Sequence, residues 1–305
     1  MGIIATVDLG EVIDLLRSSD YRYLVPVVLM IFPQVALRSL RWQRLMAQQG
    51  INCPFRTALV FYFAAIYIGL VTPGRMGELG KCFFLKQNNI AGVAQSLPSV
   101  LVDRLLDLYI LGLLALGALY HIDLLLVTPL TAALLAAILA GLPWFLFKWF
   151  QTDERLNAFI DGWLSRFTPR WQEAWRAFVS GSRPLFSPRL AESVALTILS
   201  YTIYFAQVCL IGRSIDLPLA CGDIAMVTAI GILVGYVPIT IAGLGTREAT
   251  LIFLFGQFGI SASSALSFAF LYNLVYIVFV GVISAVFWIR MPHRQALKNT
   301  LKDSH

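Results

Sequence analysis

Apolar runs of about 20 residues leave a chain few choices. In lipid every backbone N–H and C=O must be bonded inside its own segment, which a helix achieves and an open strand does not. Five runs here are read as full spans: Leu24–Leu40, Leu97–Tyr120, Leu124–Phe147, Leu190–Gly212 and Ser263–Ile289. Each far exceeds the ~10-residue alternating strand of a membrane barrel. The expected fold class is an all-α polytopic membrane protein, and composition agrees. Hydrophobic residues make up 58% of the 305-residue chain and charged residues 13%, against about a quarter charged in a globular domain. No polar block is long enough for a soluble domain.

Two further apolar stretches stop short of a span. Ala58–Val71 runs into TPGRMGELGK, residues Thr72–Lys81, and returns only as Leu79–Leu85. Ile224–Ala242 holds Pro238, leads into PITIAGLGTREAT, residues Pro238–Thr250, and returns as the short Ala249–Ile260. Both are predicted to be broken or re-entrant helix pairs, a device tolerated where the open backbone is buried in protein or lines a cavity.

The charges between runs predict orientation. Arg38–Arg56 holds four arginines and no acid, Lys148–Arg189 carries seven basic residues, and the tail from Arg290 adds Arg294, Lys298 and Lys302. By the positive-inside bias these segments, including the C-terminus, belong in the cytoplasm. The acid-leaning N-terminal region, the His121–Asp123 turn and the Arg213–Asp223 loop belong outside. Parity then makes the first broken pair enter and leave from the cytoplasm and the second from outside.

The expected organisation is an N-terminal amphipathic segment (1–23), a first repeat (24–120), a connecting span and cytoplasmic Trp/Arg-rich loop (121–189), an inverted second repeat (190–289) and a basic tail (290–305). Inverted repeats whose broken helices meet near the midplane are a transporter architecture. The N-terminus lacks the basic n-region of a cleavable signal and is expected to form a surface helix through Ile13, Leu15 and Leu16.

A charged side chain at mid-span costs roughly 2.5–3.5 kcal/mol, so Arg75, Glu78 and Lys81 are expected to face a polar cavity, protein or the cytoplasmic surface. Pro73 and Gly74 stop the first helix, Gly77 permits the turn, and the returning half-helix offers free N–H groups to an anion such as phosphate. In the second tip Gly243 and Gly245 allow close approach, Thr246 is the expected N-cap, and Arg247 stands beside Glu248. Arg75 and Arg247 are expected to reach a common cavity. Asp103 and Asp107 share a helix face around Arg104; with Glu78 they are candidates for proton or ion coupling, or they mark the cytoplasmic end of the helix. Arg38 and Arg41 are read mainly as charge markers.

Other signals are sparse. The tryptophans Trp149, Trp163, Trp171 and Trp175 alternate with arginines as in a helix lying among headgroups, and Trp42, Trp144 and Trp288 are expected to extend that belt. Cys53, Cys82, Cys209 and Cys221 are scattered without a CxxC pair and are expected to be packing residues. There is no P-loop, HExxH or GxSxG, so no enzyme activity, cofactor or metal is expected. The net charge of +6 sits in short loops and does not imply nucleic-acid binding.

RSLRWQRLM, TPGRMGELGK, SVLVDRLLDLY and PITIAGLGTREA, in that order, resemble the lysylphosphatidylglycerol synthase transmembrane region, or flippase-like domain, family over about Leu24–Ile289. Pro73, Gly74, Arg75, Gly77 and Glu78 match its first signature; Gly243, Gly245 and Glu248 match its second. The resemblance implies a prokaryotic inner-membrane protein that moves a lipid with a polar head, such as an aminoacylated phosphatidylglycerol or a polyprenyl-phosphate sugar. No aminoacyltransferase domain is evident. The expected function is a flippase-like transporter of an anionic phosphate-bearing lipid. Alternatives are an intramembrane enzyme acting on polyprenyl phosphates, or a non-transporting partner of a lipid-modifying enzyme. A homo-oligomer is a further expectation.

Overall fold

A computed structural model describes residues 9–121, 168–240 and 242–291, with isolated helical positions at 137, 141 and 162. The expected span Leu124–Phe147, much of the Trp/Arg-rich loop and the tail beyond residue 291 lie outside the described residues.

The described residues form the helices α1 (Leu9–Ser18), α2 (Leu24–Gln48), α3 (Phe55–Val71), α4 (Lys81–Gln87), α5 (Val93–His121), α6 (Pro169–Ser182), α7 (Leu190–Ser214), α8 (Cys221–Tyr236), α9 (Thr246–Gln257), α10 (Ala262–Asn273) and α11 (Val280–Ile289). A π-helical stretch, Leu274–Phe279, joins α10 to α11 without interruption. Among the described residues three segments are long and apolar enough to cross a membrane: Tyr21–Gln48, Leu190–Ser214 and Ala262–Ile289. The α3 and α8 helices are apolar but shorter, and each stops at one of the two glycine-rich motifs. The protein is thus an all-α, multi-pass membrane protein.

Packing crosses between the halves of the chain. The principal helix contacts are α2 with α7, α3 with α11, and α5 with α8. Phe61, Phe63, Val208, Leu251, Phe255 and Phe268 contribute to one shared apolar core, while Val25, Leu29, Ile198, Phe253 and Val282 point outward. Large apolar side chains on the outside of long helices are what a lipid solvent permits.

Three expectations are corrected. The α2 helix continues eight residues past Leu40 to Gln48, so Arg41 and Trp42 are not in a cytoplasmic loop; both are fully buried. Trp42 is packed against Tyr62 with ring centroids 6.4 Å apart and does not join an interfacial belt. Cys209 and Cys221 form a disulfide with Cα atoms 5.1 Å apart. The chain doubles back between α7 and α8, with Asp216 at φ 49°, and brings together two cysteines whose spacing carries no recognisable signature. Cys53 and Cys82 are free and buried.

Candidate functional site

The first break is built by its own sequence. After α3 the chain extends at Thr72, whose Oγ1 donates to the Ile68 carbonyl at 3.1 Å and accepts from the Gly77 N–H at 2.8 Å. Gly74 and then Arg75 adopt the left-handed region at φ 59° and 55°. For arginine that conformation costs roughly 1–2 kcal/mol, a local strain held in place by the surrounding packing. Residues Met76–Gly80 follow as a 3₁₀ turn. Gly77 is pressed onto α3, where a Cβ would fall 2.6 Å from the Ile68 carbonyl carbon. The expected anion site at the start of a returning half-helix is not formed: α4 is only seven residues long, and its first residue, Lys81, is committed elsewhere.

Lys81 belongs to a buried cluster of three cations and three carboxylates. Its Nζ lies 2.8 Å from Oδ2 of Asp103 and 4.0 Å from the centre of the Tyr62 ring. Arg41 bonds Asp103 through Nε at 2.8 Å and Asp107 through Nη1 at 2.9 Å, and also donates to Thr197 Oγ1 at 2.9 Å. Arg104 joins Glu78 at 2.8 Å and Asp107 at 3.1 Å. Such charges are tolerable in a low-dielectric interior only as a matched, hydrogen-bonded set. The cluster therefore ties α2, α4, α5 and the first break together.

At the second break Gly243 sits at φ 75°, where a Cβ would fall 2.8 Å from the Cα of Gly235. The N-cap of α9 is Gly245, one residue before the expected Thr246. The Glu248 carboxylate accepts from the Gly245 N–H, filling that helix end with a side-chain anion. Asn273 then holds the pair: its Nδ2 donates to Glu248 Oε1 at 2.8 Å and its Oδ1 accepts from Arg247. Asn273 immediately precedes the π-helical stretch, a feature frequent at functional sites.

The two breaks meet. A Cβ on Gly74 would lie 2.9 Å from the carbonyl oxygen of Tyr236, the last residue of α8, and the Arg75 guanidinium lies over the Tyr236 ring at 5.6 Å. Beside this junction is a cavity lined by Gln34, Arg38, Arg75, Glu78 and the tyrosines 201, 204, 236, 272 and 276. The cavity is small, about 60 Å³. Arg38 lies over the Tyr201 ring at 4.9 Å, and its Nε has no hydrogen-bond partner. Among the described residues neither Arg38 nor Arg75 has a carboxylate within 4.0 Å. Guanidinium groups of this kind are suited to phosphate, which their forked donors match in geometry.

Comparison with known proteins identifies the family. Residues 1–284 match the lysylphosphatidylglycerol synthase TM region family. The chain belongs to that family. It is similar to a UPF0104 membrane protein of Methanothermobacter thermautotrophicus, 24% identical over 275 residues, covering 83% of this chain and 81% of the relative. A UPF0104 membrane protein of Methanocaldococcus jannaschii is 21% identical over 291 residues, covering 90% and 86%.

Within this family member the motif residues separate into distinct surroundings. Arg75 and Glu78 line the central cavity. Gly74, Arg104 and Asp107 line a neighbouring one with them, while Lys81 and Asp103 are sealed inside the ion cluster. Arg247 does not line the central cavity; it is buried behind Tyr272, with its guanidinium 4.6 Å from that ring. The residue that faces Arg75's cavity is instead Arg38. The tyrosines, Gln34 and Asn273 carried no motif. Their signal in the sequence is polar side chains inside otherwise lipid-grade runs, as with Gln207, whose Nε2 donates to the Val27 carbonyl at 2.8 Å and whose Oε1 accepts from Tyr276 at 3.1 Å.

Proposed function

We propose that this protein moves the phosphate-bearing headgroup of an anionic lipid between leaflets. The observation that carries the reading is the pair Arg38 and Arg75, without carboxylate partners among the described residues, lining a tyrosine-walled cavity at the junction of two helix breaks. The phosphate is held by these guanidiniums while the acyl chains stay in lipid. Glu78, tied to Arg104, sets the position of the first break and is the group open to proton coupling.

The packing pattern supports an inverted repeat. Exchanging α2, α3 and α5 for α7, α8 and α10–α11 maps the α2·α7 contact onto itself and interchanges α3·α11 with α5·α8. The tip glutamate of each half also bonds to that half's last helix, Glu78 to Arg104 and Glu248 to Asn273. Charge and the disulfide support an orientation. Cys209–Cys221 lies near the Arg213–Asp223 loop, assigned outside, and disulfides persist in oxidising compartments. The basic tail is then cytoplasmic and the host membrane the cell membrane.

The test uses phosphatidylcholine vesicles containing the purified protein and a trace of fluorescent phosphatidylglycerol, with leaflet exchange read by quenching of the outer-leaflet probe. Exchange is expected to rise over protein-free vesicles and to fall at least tenfold in an Arg38→Ala, Arg75→Ala variant. Equal exchange by both proteins would sink the reading.

A further inference from the structure

A second cavity adjoins the central one. Its walls include Arg75, Glu78 and Tyr236, which it shares with the central chamber, together with Arg104, Asp107 and Leu108 from its own side. About 220 Å³ of it is open to the centres of water-sized molecules. Two of its lining side chains, Met76 and Leu108, are apolar and exposed, 61% and 41% accessible. Inside, Asp107 is 1% exposed, and its Oδ2 is 3.1 Å from Arg104 yet outside hydrogen-bonding geometry. An almost fully buried carboxylate oxygen without a donor, on the wall of this cavity, is a position that calls for a donor such as a headgroup hydroxyl.

Resting on the lipid-translocation reading, the geometry points to a side portal closed by an anion-sensitive partition. The headgroup waits in the outer cavity, reached from the bilayer past Met76 and Leu108, and Arg75 stacked on Tyr236 separates it from the central chamber. Arg75 is held there by the face of an aromatic ring rather than by a carboxylate. A phosphate offers the guanidinium a charge-assisted pair that is stronger than a cation–π contact with a ring. It therefore draws Arg75 off Tyr236 and opens the way toward Arg38. A phosphocholine headgroup carries the same phosphate with a cation beside it, so it gains less from pairing with Arg75 and is held back. Tyr236 is thus a specificity-determining residue.

The experiment compares exchange of fluorescent phosphatidylglycerol with that of fluorescent phosphatidylcholine in the same vesicles. Wild type is expected to favour phosphatidylglycerol; Tyr236→Phe keeps that preference within twofold, and Tyr236→Ala reduces it at least fivefold by speeding the phosphatidylcholine probe. A misfolded variant loses both rates, so only a change in their ratio supports the partition. An unchanged ratio in a folded Tyr236→Ala overturns the partition and leaves the translocation reading standing, whereas a wild type that exchanges neither lipid overturns both. Should Tyr236→Ala not fold, Met76→Cys decides. Labelling it with a bulky maleimide is expected to slow phosphatidylglycerol exchange about tenfold, and methylthiolation to leave it unchanged; full-rate exchange after bulky labelling overturns the portal.

Discussion

Nε of Arg41 lies 2.8 Å from Oδ1 of Asp103, a residue 62 positions later, and both side chains are fully buried. This bond and the Lys81–Asp103 pair make one carboxylate answer to two cations on two different helices. Asp103→Asn keeps the shape but leaves Arg41 and Lys81 short of a counter-charge. Breaking a buried pair in this way costs about 3–5 kcal/mol. A lower midpoint in thermal unfolding of the detergent-solubilised protein is the expected result, and an unchanged midpoint would show the cluster to be structurally dispensable.

Gly77→Ala tests the seating of the first break. The added methyl meets the Ile68 backbone at 2.6 Å, and overpacking of this kind costs roughly 1–3 kcal/mol. Because Gly77 also donates to Thr72, the same change shifts Arg75 and Glu78, so lipid exchange is expected to fall with stability. Gly92→Ala, where an added Cβ has nothing within 4 Å, is the matched control and is expected to leave both quantities unchanged.

Asn273 bridges Arg247 and Glu248. Asn273→Leu removes both bonds without removing bulk, and an unsatisfied buried polar group costs about 1–3 kcal/mol. Asn273→Asp retains an acceptor for Arg247 but sets a carboxylate against Glu248. Both variants are expected to lower thermal stability, and the aspartate variant to recover part of the loss as pH falls and a carboxyl takes up a proton. Identical behaviour of the two across pH would remove Asn273 from this role.

The disulfide closes a short loop of sequence separation 12 between α7 and α8. In the chain-entropy account a loop near this size contributes about 3 kcal/mol. Denatured, unreduced protein is expected to present two reactive thiols, those of Cys53 and Cys82, and reduced protein four. Four thiols before reduction would refute the pairing. Reduction, or Cys209→Ser with Cys221→Ser, is expected to lower the unfolding midpoint and to loosen α8 at its outer end.

Much of the helix plan is readable directly because lipid imposes it. The runs at Leu24, Leu97, Leu190 and Ser263 become α2, α5, α7 and α10–α11, and the prolines and glycines of both motifs fall where α3 and α8 stop. Helix ends were less legible. Arg38, Arg41 and Arg44 look like a basic loop but extend α2; Arg41 is buried there because Asp103 and Asp107 on α5 supply a counter-charge that a sequence read locally cannot show. The tyrosines lining the central cavity are invisible as a group for the same reason, being drawn from α7, α8, α10 and the π-helical stretch.

That this is an all-α membrane protein with two interrupted helices can be read from the residues alone, because apolar length, helix-breaking residues and the cost of intramembrane charge are local properties. Which charges are paired and which are not emerges only from the packing of the helices. Lys81 and Arg41 are paired with Asp103 and Asp107, Arg247 is covered by Tyr272, and Arg38 and Arg75 line the cavity without a carboxylate partner among the described residues. Pairing depends on distances across helices far apart in the chain, and the low dielectric between them makes each pairing decisive.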